Sequence, residues 1–139
     1  MSLQWLNIGF FTIHNALIVF NLLGWIRPET RRLHRLTVLA TLFSWFVMGA
    51  RYGWGYCLCT DLHFEVRRRM GIHAGETSYT ELLLNQLPGV HVTRWTADII
   101  TVTALVAILI ATVTVRIYDL RRAAKVAEQQ ECELESDRV

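Results

Sequence analysis

Charged residues and cysteines are both scarce in this sequence of 139 residues, and each shortage excludes a class of protein. Charged residues make up 19% and hydrophobic residues 53%, whereas a soluble domain of this length has more charge and shorter apolar runs. Three cysteines are too few for a disulfide framework. A formal net charge of +2 is too small to indicate a nucleic-acid-binding protein. The composition therefore indicates a membrane protein of one domain.

Catalytic and nucleotide-binding signatures are also missing from the sequence. It contains no P-loop, no G-x-G-x-x-G or H-E-x-x-H motif and no Ser–His–Asp pattern. We therefore name no catalytic residues; the sequence leaves open whether the protein is an enzyme and favours one that is not.

Three apolar runs have the length of a membrane span and cover residues 3–26, 35–57 and 95–118. The first run has no charged residue, and from Leu36 to Tyr56 the second has only Arg51. About 20 apolar residues cross a hydrocarbon core of about 30 Å. The third run is rich in Ile, Val and Thr, but an isolated strand in lipid leaves its backbone unpaired, so a helix is favoured. We predict an all-α integral membrane protein with three transmembrane helices.

The domain organisation follows from these runs. Residues 1–120 form a single transmembrane domain, and residues 121–139 form a polar tail. Between the second and third spans lies an extramembrane segment, residues 58–94. Its sequence predicts two short amphipathic helices, because Thr60 or Asp61 can cap the first and Ser78 to Glu81 form a capping box before the second. We expect both helices to lie on the membrane surface or to fold over the helix ends.

Three glycines, Gly49, Gly53 and Gly55, lie near the end of the second run. The spacing of the first two matches the GxxxG pattern, which lets helices approach closely. The same glycines can instead end the helix as it leaves the membrane. The sequence supports the two interpretations equally.

Arginine asymmetry predicts the orientation in the membrane. The basic residues that flank the first connection or lie at and beyond the end of the third run are Arg27, Arg31, Arg32, Arg35, Arg116, Arg121, Arg122 and Lys125. The positive-inside rule then places the amino terminus and the 58–94 segment outside, and the first connection and the tail in the cytoplasm. Arg67, Arg68, Arg69 and Arg94 count against this orientation. We expect the protein to lie in the inner (plasma) membrane of a bacterium, where its spans contact the lipid bilayer.

A set of polar residues inside the runs, His14, Asn21, Arg51 and Asp98, forms the predicted intramembrane polar cluster. Polar side chains in hydrocarbon are costly and normally face protein or water. Under the predicted topology Asp98 could approach Arg51, and the functional interpretation is a proton or ligand track centred on His14, Arg51 and Asp98. The structural interpretation is a set of interhelical hydrogen bonds and one ion pair, and it is the favoured one because three helices leave little room for a pathway.

Cys57, Cys59 and His63 form the second candidate site. Thiolates and imidazole suit Cu(I) or Zn(II), so a metal at these three residues is one hypothesis. A second hypothesis is a structural disulfide or redox pair of the two cysteines. The third, which we favour, is that the cysteines pack where a helix ends. No other cofactor is expected.

Five segments of the sequence form a distinctive set: Phe11–Gly24, Arg32–His34, Gly55–Leu62, Val66–Arg68 and Ser78–Tyr79. Together they resemble one family of bacterial membrane proteins, the domain of unknown function 2784, and the resemblance covers about Ile8 to Leu87. Leu58 and Cys59 stand where the family pattern has Pro and Leu, so the second thiol is not part of that pattern. The resemblance implies a membrane architecture and assigns no activity.

The sequence predicts an accessory or scaffold subunit that binds other membrane proteins or further copies of itself, and no nucleic acid. One alternative is an outer-face thiol-redox or metal-handling protein that uses Cys57, Cys59 and His63. Another is a small transport or proton-linked component.

Overall fold

The computed structural model describes residues 2–53, 55–72, 75 and 78–136. These residues are mostly helical and include no strand, which confirms the predicted all-α class. The elements in chain order are α1 (Leu3–Leu23), α2 (Arg31–Leu42), a π-helical segment (Phe43–Met48), α3 (Gly49–Tyr52), α4 (Leu58–Arg69), α5 (Tyr79–Asn85) and α6 (Arg94–Ser136).

Three helices are long and apolar enough to cross a membrane, as predicted. They are α1, the continuous helical stretch Arg31–Tyr52, and α6. The second stretch begins and ends a few residues before the predicted 35–57. Its end is set by Gly53, whose φ of 116° lies in a region that side-chain-bearing residues rarely adopt. At Gly53, therefore, glycine ends the helix.

Helix α6 continues beyond residue 118, the predicted end of the third span, as far as Ser136. Its 43 residues include neither Gly nor Pro, and the polar part is rich in Ala, Glu, Gln and Arg, which favour helix. Most of the predicted polar tail is therefore a helical extension of the third span, and residues 137–139 lie outside the described residues.

At one end of the bundle, hydrogen bonds tie α1, α2 and α6 together. The Thr30 hydroxyl donates to the Gly24 carbonyl over 2.7 Å. Arg31 Nη1 donates to Asp119 Oδ1 over 2.6 Å, which joins α2 to α6. His34 is 1% exposed, and its Nε2 lies 3.0 Å from the Thr112 hydroxyl on α6. The connection after α1 is thus held against the third span.

At the other end, the two short helices fold back onto the long ones. Helix α4 packs along the amino-terminal half of α1, and α5 packs against α6, where the Thr80 and Thr101 hydroxyls lie 2.7 Å apart. Ser78 caps α5, and its hydroxyl accepts a hydrogen bond from the Glu81 backbone N–H over 3.2 Å, as the capping box predicts. The segment after α3 therefore contributes to the interior of the bundle.

Candidate functional site

One face of α1 carries three polar residues that contact three different elements. Asn7, His14 and Asn21 are seven residues apart, which is close to two helical turns. Asn7 contacts α4, His14 contacts α5 and Asn21 contacts α2. His14 and Asn21 are 7% and 8% exposed. This face of α1 is therefore the surface on which the other helices assemble.

Tyr79, the first residue of α5, packs against the middle of α1. Its ring is stacked on His14, with ring centroids 3.8 Å apart and planes 8° apart. Its hydroxyl accepts a hydrogen bond from Asn15 Nδ2 over 2.9 Å and donates to the Phe11 carbonyl over 3.3 Å. His14 lies about 16 Å along the helix axis from Leu3, at a rise of about 1.5 Å per residue. The start of α5 thus reaches about halfway along α1.

His63 on α4 is fully buried, with 0% exposure. Its Nε2 lies 2.9 Å from Asn7 Oδ1, and because an amide oxygen only accepts, the imidazole nitrogen donates this hydrogen bond. The ring stacks on Phe10 and meets Phe11 edge-on, at 6.1 and 6.4 Å between centroids. Burial, with a smaller contribution from Arg67, lowers the pKa of His63 below its ordinary value of 6.5. His63 is therefore a neutral hydrogen-bond donor at neutral pH.

We call Asn7, His14, Asn15, His63 and Tyr79 the histidine–tyrosine cluster. Both imidazole rings contact the Tyr79 ring, with His63 at 6.0 Å between centroids. Burial raises the pKa of Tyr79 to about 12, against the opposing effect of the hydrogen bond from Asn15. The phenol therefore stays protonated at neutral pH. The cluster joins α1, α4 and α5 through hydrogen bonds and ring stacking.

Asn21, predicted to belong with His14, lies in a separate network with α2. The Thr37 hydroxyl donates to Asn21 Oδ1 over 2.7 Å, and Asn21 Nδ2 donates to the Thr41 hydroxyl over 3.2 Å. The Thr41 hydroxyl also donates to the Thr37 carbonyl over 2.9 Å. Both hydrogen-bonding groups of the Asn21 amide are thus used to hold α1 against α2.

The structure does not bring Arg51 and Asp98 together. Arg51 is exposed near the end of α3. Asp98 pairs with Arg94, one turn earlier on α6, at 3.8 Å, and its side chain is 49% exposed. Because residues four apart on a helix are neighbours, Asp98 has a basic partner on α6 itself and needs no contact with the second span. Of the four residues predicted as one polar cluster, His14 and Asn21 therefore share a face of α1, whereas Arg51 is exposed and Asp98 is paired on its own helix.

Cys57, Cys59 and His63 do not converge on one point either. Both cysteines are half-buried free thiols at the start of α4, whereas His63 faces α1 and bonds to Asn7. Burial, and secondly the neighbouring Cys57, raise the pKa of the Cys59 thiol, which disfavours the thiolate that a metal or a redox reaction needs. Across the described residues, no group of three or more His, Cys, Asp or Glu side chains is placed to hold a metal ion.

Asn7, Asn15 and Tyr79 are the cluster residues that were not predicted as site residues. Tyr79 follows directly after the Ser78 cap, so the capping box already placed it at the first position of α5. Nothing in the local sequence shows that this position packs against the middle of α1. The signal that could have identified Tyr79 is an aromatic residue at the first position of a helix, in a segment that was expected to fold over the helix ends.

Together these features define an all-α protein with three helices able to cross a membrane and two short helices folded back between them. The chain belongs to the family described as Protein of Unknown function (DUF2784), whose profile matches residues 4–118. This match confirms the resemblance seen in the sequence. No curated protein and no solved structure matches the chain. The matched region includes α1 to α5 and ends within α6, just before Asp119.

Proposed function

We propose that this protein is an accessory or scaffold subunit of a bacterial plasma membrane that binds other membrane proteins through the lateral surfaces of its helices. In this proposal the amino terminus lies outside and the end of α6 lies in the cytoplasm, as the arginine distribution predicts. The protein positions or stabilises its partner and catalyses no reaction itself.

The observation that carries the proposal is how little of the three long helices is used inside the chain. Within the most apolar 18-residue stretch of α1, of Arg31–Tyr52 and of α6, only 11%, 17% and 6% of the residues are buried. Large apolar side chains such as Ile13 on α1 and Leu39 on α2 are 64% and 61% exposed. A small bundle of this kind offers neighbouring membrane proteins far more surface than it uses to fold.

The histidine–tyrosine cluster supports a structural role for the polar residues inside the bundle. Asn7, Asn15, His63 and Tyr79 bond to each other or to backbone carbonyls, and the ring of His14 is covered by Tyr79. Interhelical hydrogen bonds of this kind contribute about 0.6–2 kcal/mol each in membrane proteins. The cluster therefore holds α4 and α5 in place and leaves the outer helix faces for binding.

The test is purification of the tagged protein, expressed at its natural level, from native membrane in a mild detergent. A second membrane protein recovered at a fixed stoichiometry supports the proposal. Ile13→Trp and Leu39→Trp then locate the interface, since each changes an exposed face of a different helix and leaves the interior untouched. Recovery of this chain alone, from membranes cross-linked before extraction, would contradict the proposal.

The orientation has its own test in intact cells. With the native cysteines replaced by serine, Ser2→Cys should react with a membrane-impermeant maleimide, and Gln129→Cys should react only after the cells are opened. The reverse pattern would show the opposite orientation.

A second candidate function is a proton-linked or small transport component. The observation in its favour is that two imidazoles, His14 and His63, contact one buried phenol, Tyr79, halfway along a candidate span. Purified protein in liposomes that contain a pH-sensitive dye would show proton flux, and His14→Phe would abolish it. Flux equal to that of protein-free liposomes would exclude this candidate.

A further inference from the structure

Helix α6 has two faces, and only one of them contacts other parts of the chain that the structure describes. The contacts run through Ala97, Thr101, Thr112 and Asp119, which are buried or half-buried and lie on one side of the helix. The opposite side is exposed along the whole helix. Ile110, for example, is 62% exposed.

The exposed side follows a heptad pattern. Beyond Ile110 and Val113, apolar residues recur at alternating steps of four and three residues, at Ile117, Leu120, Ala124, Ala127 and, one heptad later, Leu134. We call these seven positions the α6 seam. A repeat of 3.5 residues is the signature of a left-handed coiled coil, in which the seam occupies positions a and d.

The part of the seam that lies beyond the span is the informative part. Within the span every face is apolar, and lipid covers it as well as a protein would. From Leu120 to Ser136 most other positions are charged or polar, and Leu120 and Leu134 remain 51% and 63% exposed. Val126, which is 47% exposed, lies off the seam. An apolar stripe on an otherwise polar, water-exposed helix is stabilised when a partner helix covers it.

We propose that the partner is a second copy of this chain, and that the two α6 helices form a parallel two-stranded coiled coil along the seam. Copies in one membrane share an orientation, so their α6 helices run parallel and the membrane brings equal heptads to equal depth. Ile110 and Ile117 occupy a positions and Leu120 and Leu134 occupy d positions, the arrangement that favours two strands in parallel coiled coils.

The size of the seam fits a stable dimer. Apolar d positions continue from the seam towards the start of α6 at Val106 and Ile99, and the strip from Ile99 to Leu134 is about 53 Å long, at a rise of about 1.5 Å per residue. A strip of that length and roughly 12 Å wide, the diameter of a helix, covers about 600 Å² on each copy. Standard protein interfaces bury about 800 Å² per partner, so the strip is of the same order.

Glu131 is the polar exception in the seam, at an a position between Ala127 and Leu134. Two copies in parallel place these carboxylates opposite each other, where like charges repel. A single polar a position sets the register of a coiled coil at a cost in its stability. Glu131→Gln should therefore increase the dimer fraction at a given protein concentration.

The inference goes beyond the proposed function, because it concerns pairs of this chain and not its binding to a different protein. It is tested by cysteine cross-linking of the full chain in native membranes, with Cys57, Cys59 and Cys132 replaced by serine. Leu120→Cys and Ala127→Cys place thiols on the seam. Arg122→Cys and Gln129→Cys, two residues further on and on the opposite side of the helix, are the matched controls.

Mild oxidation should give disulfide-linked dimers from both seam variants and from neither control, since a disulfide needs Cα atoms within about 7 Å. Equal cross-linking at all four positions would show random collision, and no cross-linking on the seam would show that α6 does not pair; either result overturns the inference. A dimer fraction lowered by Glu131→Gln, measured by light scattering in detergent, would overturn it as well. None of these results bears on a different membrane protein that co-purifies with the chain.

Discussion

Replacing Tyr79 by phenylalanine removes a single oxygen atom from the centre of the histidine–tyrosine cluster. The variant keeps the ring and therefore the stacking on His14 at 3.8 Å. It loses the hydrogen bond from Asn15 at 2.9 Å and the one to the Phe11 carbonyl at 3.3 Å. Asn15 keeps its other hydrogen bond, to the same carbonyl at 2.8 Å. The perturbation is thus confined to the contact between α5 and α1.

The expected loss of stability follows from these bonds. A buried hydrogen bond contributes about 0.5–1.5 kcal/mol, and leaving one amide hydrogen of Asn15 unpaired adds to the cost. Tyr79 is 5% exposed, so water cannot replace the phenol without some opening of the bundle. We expect Tyr79→Phe to lower the free energy of unfolding by about 1–2 kcal/mol. Tyr79→Ala, which also leaves a cavity, should cost about 3–5 kcal/mol.

The assay is reversible unfolding of the purified protein in detergent, followed by circular dichroism as a denaturing detergent is added. Tyr118→Phe is the matched control, because Tyr118 is 61% exposed on α6 and the same atom is removed there. The control should match the natural sequence. If the free energy of unfolding of Tyr79→Phe also equals that of the natural sequence, the start of α5 does not pack against the middle of α1 and the histidine–tyrosine cluster is not formed.

Three further predictions use the same assay. Gly24→Ala should lower the free energy of unfolding by about 1–3 kcal/mol, because the new Cβ would lie 2.6 Å from a backbone oxygen of α1. At Gly9 a Cβ would have no atom within 4 Å, so Gly9→Ala should leave the free energy of unfolding unchanged or raise it. Burial lowers the pKa of His63 in the folded protein, so as the pH falls below 6.5 the unfolded chain takes up a proton at His63 more readily than the folded protein does. The free energy of unfolding should therefore decrease below pH 6.5, and it should decrease less in His63→Gln. Equal pH profiles for the two proteins would contradict this prediction. A double-mutant cycle of Arg31→Gln and Asp119→Asn should give a coupling of about 1 kcal/mol, and additive effects would show that the 2.6 Å pair does not tie α2 to α6.

The elements were predictable where local chemistry decides them. The capping box placed the start of α5 at Tyr79, because the Ser78 hydroxyl satisfies a backbone N–H that the first turn leaves free. The three long helices were predictable from the length of apolar sequence. The end of the second stretch was not, since GxxxG packing and helix termination share one pattern, and only the positive φ of Gly53 distinguishes them.

The candidate site was less predictable than the elements. Asn7, His14 and Asn21 could be assigned to one face of α1, but their partners could not be named. Asp98 pairs within its own helix and Arg51 is exposed, so the predicted approach of these two residues is not formed. A small bundle has many pairs of polar residues at similar depth in the membrane, and the sequence does not show which helix faces meet. It therefore cannot show which of these pairs are in contact.

The sequence by itself determined that three stretches are helical and long enough to cross a membrane. A backbone in hydrocarbon must satisfy its own hydrogen bonds, and only a helix does so within one segment. Only the tertiary structure decided that Tyr79 lies on His14, that His63 bonds to Asn7 and that Arg31 reaches Asp119. Apolar side chains surround most of each long helix, so hydropathy does not indicate which face packs against the other helices. Hydrogen bonds and close packing between helices that are far apart in the chain decide which face that is.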